Sequence, residues 1–177
     1  YPRPADTTEP GVLAGEGAAV DYCTLPELSG LAVRADDIPK AYTPGCGFDA
    51  FPLPVLARCT EPLSPGAPDL RGLWKAYSGM VGHVERIEQC GNRVVVTSSG
   101  VIHDMRADGT FSNGVNDINA RCRRIFATAQ YVDGALVLHP FGQSFVVVTR
   151  KLDGDELVWG YPGAGVSRMK RICRLAD

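Results

Sequence analysis

Beyond Leu70 the chain is punctuated at short intervals by glycine-bearing turn signals: Cys90-Gly91-Asn92, Ser99-Gly100, Asp108-Gly109, Asp133-Gly134, Asp153-Gly154 and Pro162-Gly163-Ala164-Gly165. The runs between them are short and rich in Val, Ile, Thr and aromatic residues. Runs of that length cannot hold long helices, and their regular spacing restricts the fold to an all-β sandwich or barrel. Strands are predicted near 71–79, 82–89, 93–98, 101–107, 122–132, 135–141, 143–152, 156–161 and 166–174. The stretch Val115–Ala129 carries two readings. Val115, Ile118, Cys122 and Ile125 also fit a helical period, so a short helix is the alternative there.

Proline separates the rest of the chain from this region. Eleven of the thirteen prolines lie in the first 68 residues. Proline removes backbone donors and interrupts ladders, so an irregular segment with at most short helical turns is expected, one of them near Leu25–Val33. Beyond Cys23 the apolar residues Leu28, Leu31, Val33, Phe48, Phe51, Leu53, Val55 and Leu56 are too many for a solvated tether. The expected organisation is a Pro-rich extension over 1–69 wrapping a β-barrel domain over 70–177. Charge agrees with docking between the two: residues 1–70 hold ten acids and four bases, and residues 71–177 ten acids and fourteen bases.

Six cysteines, Cys23, Cys46, Cys59, Cys90, Cys122 and Cys173, show no C-x-x-C spacing of the kind zinc sites use. Disulfides in an oxidising compartment are the expectation, with at least one bridge between the extension and the barrel. A secreted or periplasmic location follows, and Tyr1-Pro2-Arg3-Pro4 reads as a mature start after cleavage. No stretch approaches eighteen apolar residues, so no membrane span is expected. The overall charge of −2 lacks the basic excess of a nucleic-acid binder.

Hairpin turns set register, and register sets which side chains share a face. A Gln89–Asn92 loop would place Glu85 opposite Val96, and a Ser99-Gly100 loop would place Val96 opposite His103. One face of this unit then holds His83, Glu85, Ile87, Val94, Val96, Ser98, Val101, His103 and Met105. It is the more apolar face and is expected to point inward, carrying His83, Glu85 and His103 together. At the other end of the chain an Asp153-Gly154 loop sets Arg150 opposite Leu157. The Pro162–Gly165 loop sets Trp159 opposite Arg168. The shared face there is Val146, Val148, Arg150, Leu157, Trp159, Tyr161, Val166 and Arg168, with Thr149, Lys151, Glu156 and Arg171 turned to water. An inward arginine needs a partner, either Glu85 or another protein group, or an anionic ligand in a wet cavity.

This pattern resembles the calycin superfamily of lipocalins, fatty-acid-binding proteins and avidin-like barrels. Gly72-Leu73-Trp74 is similar to the lipocalin G-x-W element at the first barrel strand. Val166-Ser167-Arg168-Met169-Lys170 resembles the fatty-acid-binding-protein close, an R-x-Y element, with Lys170 in the place of the Tyr. The resemblance covers about residues 70–174. It implies an antiparallel up-and-down barrel in which a basic residue of the last strand, Arg168 or Arg171, lies across Trp74.

The sequence therefore points to an all-β, calycin-like barrel that takes a small hydrophobic or amphipathic, partly apolar and in one form anionic molecule inside. Trp74, Arg150, Trp159, Tyr161 and Arg168 are the candidate ligand-binding residues. Arg150 and Arg168 are placed to clamp a carboxylate, and Trp159 and Tyr161 to stack a flat ligand. The alternative is an enzyme, a cofactor-free isomerase, cyclase or lyase. In it His83, Glu85 and His103 do acid–base work, or in a remoter version hold a metal. No cofactor is expected, because G-x-S-x-G, P-loop, dinucleotide and H-E-x-x-H signatures are missing. A homodimer is compatible with the sequence. Arg121, Arg123 and Arg124 read as a solvated cluster or as a dock for the acidic extension.

Overall fold

The computed structural model describes residues 32–98 and 100–173, together with the backbone of residues 12–15 and 18–21. Strands β1 (Val12–Gly15) and β2 (Ala18–Asp21) pair with each other as an antiparallel ribbon. The helical turn expected near Leu25–Val33 falls mostly outside the described residues. Val33 itself forms a parallel bridge to Cys59, and the described 3-10 turn is Ala35–Asp37.

Ten antiparallel strands follow: β3 (Gly72–Ser78), β4 (Val84–Cys90), β5 (Arg93–Ser98), β6 (Val101–Arg106), β7 (Val115–Ile118), β8 (Arg124–Val132), β9 (Ala135–Pro140), β10 (Val148–Asp153), β11 (Glu156–Tyr161) and β12 (Gly165–Cys173). Consecutive strands pair except β6 with β7, and β12 returns to pair with β3. The result is an up-and-down barrel, closed except for a seam between β6 and β7. That seam is bridged by the Arg106 N–H donating to the Asn113 carbonyl at 2.7 Å and by His103 Nε2–H donating to the Ile118 carbonyl at 3.2 Å.

The helical alternative over Val115–Ala129 is overturned. Those residues form β7, the turn 119–123 and the start of β8, and Ala127 and Ala129 point into the core, as period-2 alternation requires. The strand expected over 143–152 begins only at Val148.

Two registers shift by two residues with their faces preserved. The β4–β5 turn is Gly91-Asn92, so Glu85 opposes Ser98, and the β10–β11 turn is Gly154-Asp155, so Arg150 opposes Trp159. The β11–β12 register differs by one residue, and that reverses the face. Trp159 opposes Ser167, which turns Ser167, Met169 and Arg171 inward and Val166 and Arg168 outward. The inward placement of Arg168 and Val166 and the outward placement of Arg171 are corrected accordingly. An odd step in one loop moves every side chain of a strand to the other face.

The barrel interior is a continuous apolar cluster built around Trp74, Ile87, Val94, Met105, Leu136, Leu157 and Met169, all fully or almost fully buried. A second core lies on the outside of the barrel. Phe48, Phe51 and Leu56 of the Pro-rich segment cover Leu73, Val84, Val95 and Ile102. Because of this cover, β4 and β5 are buried on both faces.

The wrap has few ladder partners, and charged barrel side chains satisfy its backbone instead. Glu88 accepts from the Val55 and Leu56 N–H groups, and Asp104 from Ala41. Arg86 donates to the Pro52 carbonyl, and Arg93 to those of Ala35, Ile38 and Pro39. Disulfides Cys46–Cys122 and Cys59–Cys90 pin the wrap to the barrel, as the cysteine distribution predicts. Cys173 is also disulfide-bonded.

Candidate functional site

The two ends of the barrel differ. One end is sealed. Leu70 enters it, with its carbonyl accepting from Trp74 Nε1 at 2.9 Å and its N–H donating to Gln89 Oε1 at 2.6 Å. Gln89 Nε2 in turn donates to the Tyr131 hydroxyl at 2.7 Å, tying β4 to β8 across the interior. Burial pushes the Tyr131 hydroxyl up to about 12, against the hydrogen bond from Gln89, so it stays a neutral phenol. Arg171 lies over Trp74, its guanidinium carbon 4.4 Å from the ring centroid, and Nη2 donates to the Asp69 carbonyl. Of the two basic residues considered for that place, the structure puts Arg171 there.

Gly72 is the residue that lets this end close. Its φ is 149°, and a Cβ there would sit 2.5 Å from the Cys173 carbonyl oxygen. Only glycine tolerates that close approach of β3 to β12.

The polar residues gather toward the other end of the interior. Glu85 of β4 is completely buried and receives Arg150 of β10 in a two-pronged contact, Nε to Oε1 at 2.8 Å and Nη2 to Oε2 at 3.1 Å. His83, just before β4, donates Nε2–H to the same Oε2 at 3.1 Å. Its ring stacks on Trp159 at a centroid separation of 4.8 Å, and the Arg150 guanidinium sits 5.3 Å from the same indole. Tyr161 meets Trp159 edge-on at 5.7 Å and is 50% exposed, which places it at the rim.

Desolvation by itself would raise the Glu85 carboxyl. The Arg150 charge and the hydrogen bonds from His83 and Arg150 outweigh it and hold the group at about 2. Glu85 is therefore an anion at neutral pH, and Arg150 has its charge matched inside the protein. The internal carboxylate, one of the partners open to an inward arginine, is in place.

Of the expected trio, His83 and Glu85 are hydrogen-bonded to each other, whereas His103 feels the charges of Glu85 and Arg150 without a direct hydrogen bond to either. His103 faces inward from β6 but spends Nε2 on the Ile118 carbonyl across the seam, and burial lowers its pKa. Among the described residues no three His, Cys, Asp or Glu side chains come together as a metal-ligand set. Arg168 stands on the outer face, bound to Glu156 at 2.9 Å and Asp153 at 2.7 Å, and takes no part in the interior. Trp74 belongs to the sealed end.

Arg121, Arg123 and Arg124 are exposed, and none of them makes an ion pair to the wrap among the described residues. Gln89 and Tyr131 were not singled out from the sequence. The signal was present, since Gln89 shares the parity of Glu85 and Ile87.

One polar atom of the cluster is left over. Trp159 Nε1 is buried and has no acceptor among the described residues. A buried indole N–H without a partner costs about 1–3 kcal/mol, so it marks a place where an acceptor atom would be stabilised.

No protein-family model matches this sequence, and no curated protein is similar to it.

Proposed function

We propose that this is a secreted small-molecule-binding protein that holds a partly apolar ligand inside the barrel, with a hydrogen-bond acceptor of the ligand on Trp159 Nε1. The observation carrying this reading is that orphaned N–H, set beside a charge-matched Arg150–Glu85 pair and above an apolar interior. Because Glu85 already offsets Arg150, the polar end of the ligand is a carbonyl, hydroxyl or carboxyl group that accepts one bond; a full anionic clamp is not needed. Val148, Leu138 and Val96 supply apolar wall for the rest of it. The disulfides support an oxidising compartment.

The test is titration with 8-anilino-1-naphthalenesulfonate, whose sulfonate accepts hydrogen bonds and whose rings are apolar. Trp159→Phe keeps an aromatic ring and removes the donor. Its affinity for the probe is expected to fall about tenfold, the worth of one buried hydrogen bond. Equal affinity in wild type and Trp159→Phe would end this reading.

A second reading is favoured by the His83–Glu85 contact. A carboxylate that fixes an imidazole on an aromatic face is the arrangement of an acid–base dyad. Under it, the barrel turns over its bound molecule without a cofactor, as an isomerase, cyclase or lyase. His83→Gln would then abolish conversion of the molecule the barrel takes up and leave its binding intact. Retained conversion would rule the dyad out.

A further inference from the structure

In an up-and-down barrel alternate connections lie at the same end. The connections 79–83, 99–100, 119–123, 141–147 and 162–164 surround the end that holds Arg150, Glu85 and Trp159. The connections 91–92, 133–134 and 154–155 and the start of 107–114 surround the sealed end, while the rest of 107–114 runs back along β8 and brings Phe111 beside Gly142.

The two sets have opposite chemistry. Loops at the sealed end carry Asp108, Asp133 and Asp155 and no Lys or Arg. Loops at the polar end carry no Asp or Glu, and their basic residues are Arg121 and Arg123, with Arg124 following at the start of β8. These three arginines are exposed. Among the described residues the wrap places the exposed acid Asp49 near this end, beside Phe48, whose N–H donates to the Gly100 carbonyl.

The same loops expose apolar side chains. Val81 is 72% exposed, Phe145 82% and Phe141 51%, and Tyr161 stands half out of the rim. They come from two connections, 79–83 and 141–147, and from the end of β11, so the apolar surface lines one side of this end of the barrel and the arginines of 119–123 lie on the other. Val132 is exposed at the other end too, but the two most exposed apolar side chains of the barrel, Val81 and Phe145, stand here, and protruding apolar groups mark an interaction site. Protruding apolar tips at the same end as exposed arginines, which make no ion pair among the described residues, suit a bilayer carrying anionic headgroups. The tips enter the headgroup boundary, and the cations sit in the negative surface potential.

We infer that this rim docks on an anionic lipid surface with the barrel standing upright, so that an apolar ligand passes between bilayer and interior without crossing water. The acidic turns of the sealed end fix the orientation, because they are repelled by the same surface. The transfer role rests on the ligand-binding reading above, whereas the docking stands on the rim alone.

The test is sedimentation of the full chain with phosphatidylcholine vesicles, with and without phosphatidylglycerol. Binding is expected on the anionic vesicles and is expected to weaken with salt, as surface charges are screened. Val81→Ser with Phe145→Ser is expected to lower partitioning at least tenfold. Each of Arg121→Gln and Arg123→Gln is expected to lower it about fivefold. Val132→Ser, at the sealed end and 42% exposed, is expected to change nothing. Circular dichroism shows whether each variant keeps the β fold.

Failure to sediment on anionic vesicles overturns the proposal, as does sedimentation indifferent to the rim variants. A dimer that forms with concentration and is lost in the same variants also overturns it, assigning the rim to a second copy. Vesicle binding without uptake of 8-anilino-1-naphthalenesulfonate upholds docking and removes the interior ligand. Uptake of that probe without vesicle binding does the reverse.

Discussion

Arg150 and Glu85 meet inside the barrel from strands that are not neighbours, β10 and β4, joined by hydrogen bonds of 2.8 and 3.1 Å. The pair crosslinks the interior at the end where the proposed ligand sits. A buried ion pair adds little net stability over an apolar pair of the same shape, yet breaking it strands a charge. Arg150→Met is therefore expected to destabilise by about 3–5 kcal/mol, and Glu85→Gln with Arg150→Met to recover most of that loss. Urea unfolding of the two single variants and the double variant measures the coupling. Additive losses would mean that the two side chains do not act as a pair.

Acid sensitivity follows from the interior groups. Glu85 sits at about 2 in the folded chain, below its ordinary 4.5. A carboxyl lowered by folding stabilises the fold above its unfolded pKa, and this contribution is lost as pH falls from 4.5 toward 2. The amount is about 3 kcal/mol. His103, lowered below its ordinary 6.5 by burial, acts earlier. Its contribution is full above 6.5 and declines as pH falls below it. Glu88 runs the other way. Burial raises it despite Arg86, so its contribution is present below 4.5 and fades as pH rises. Stability measured against pH should thus decline in two stages on the acid side. His103→Gln should remove the first stage and Glu85→Gln the second. A curve for His103→Gln identical to wild type between pH 7 and 5 would contradict this assignment.

The wrap depends on Arg93, which reaches Asp104 and three carbonyls of the segment Ala35–Pro39. Arg93→Ala leaves Asp104 buried without its cation and frees those carbonyls. A loss of about 3–5 kcal/mol is expected, with amide exchange rising first in residues 33–43 while β8–β11 stay protected. Hydrogen exchange with mass spectrometry resolves the two regions. Uniform loss of protection would show that wrap and barrel unfold as one unit.

Gly72 supplies a backbone test. An alanine there must hold φ near 149° and push against the Cys173 carbonyl. Gly72→Ala should cost at least about 2 kcal/mol in thermal or urea unfolding, from backbone strain and the clash together. A neutral substitution would mean that β3 and β12 separate easily at the sealed end.

The barrel was legible in the sequence because its signals are local. Turn dipeptides such as Asp133-Gly134 and alternating apolar residues specify hairpins without help from distant chain. Parity carried Glu85, Arg150 and Trp159 to the same interior even where loop lengths were misjudged by two residues, since an even step keeps the face. Three matters needed tertiary structure. The odd step at the β11–β12 turn, which turned Arg168 out and Arg171 in, depends on how a Gly-rich turn spends its residues. The burial of Arg86, Glu88, Arg93 and Asp104 depends on an irregular segment whose carbonyls and N–H groups require charged partners, a demand no periodicity records. The Arg150–Glu85 pair joins residues 65 positions apart. Contact across a closed barrel is set by strand order and curvature, which are properties of the whole sheet and of no single segment.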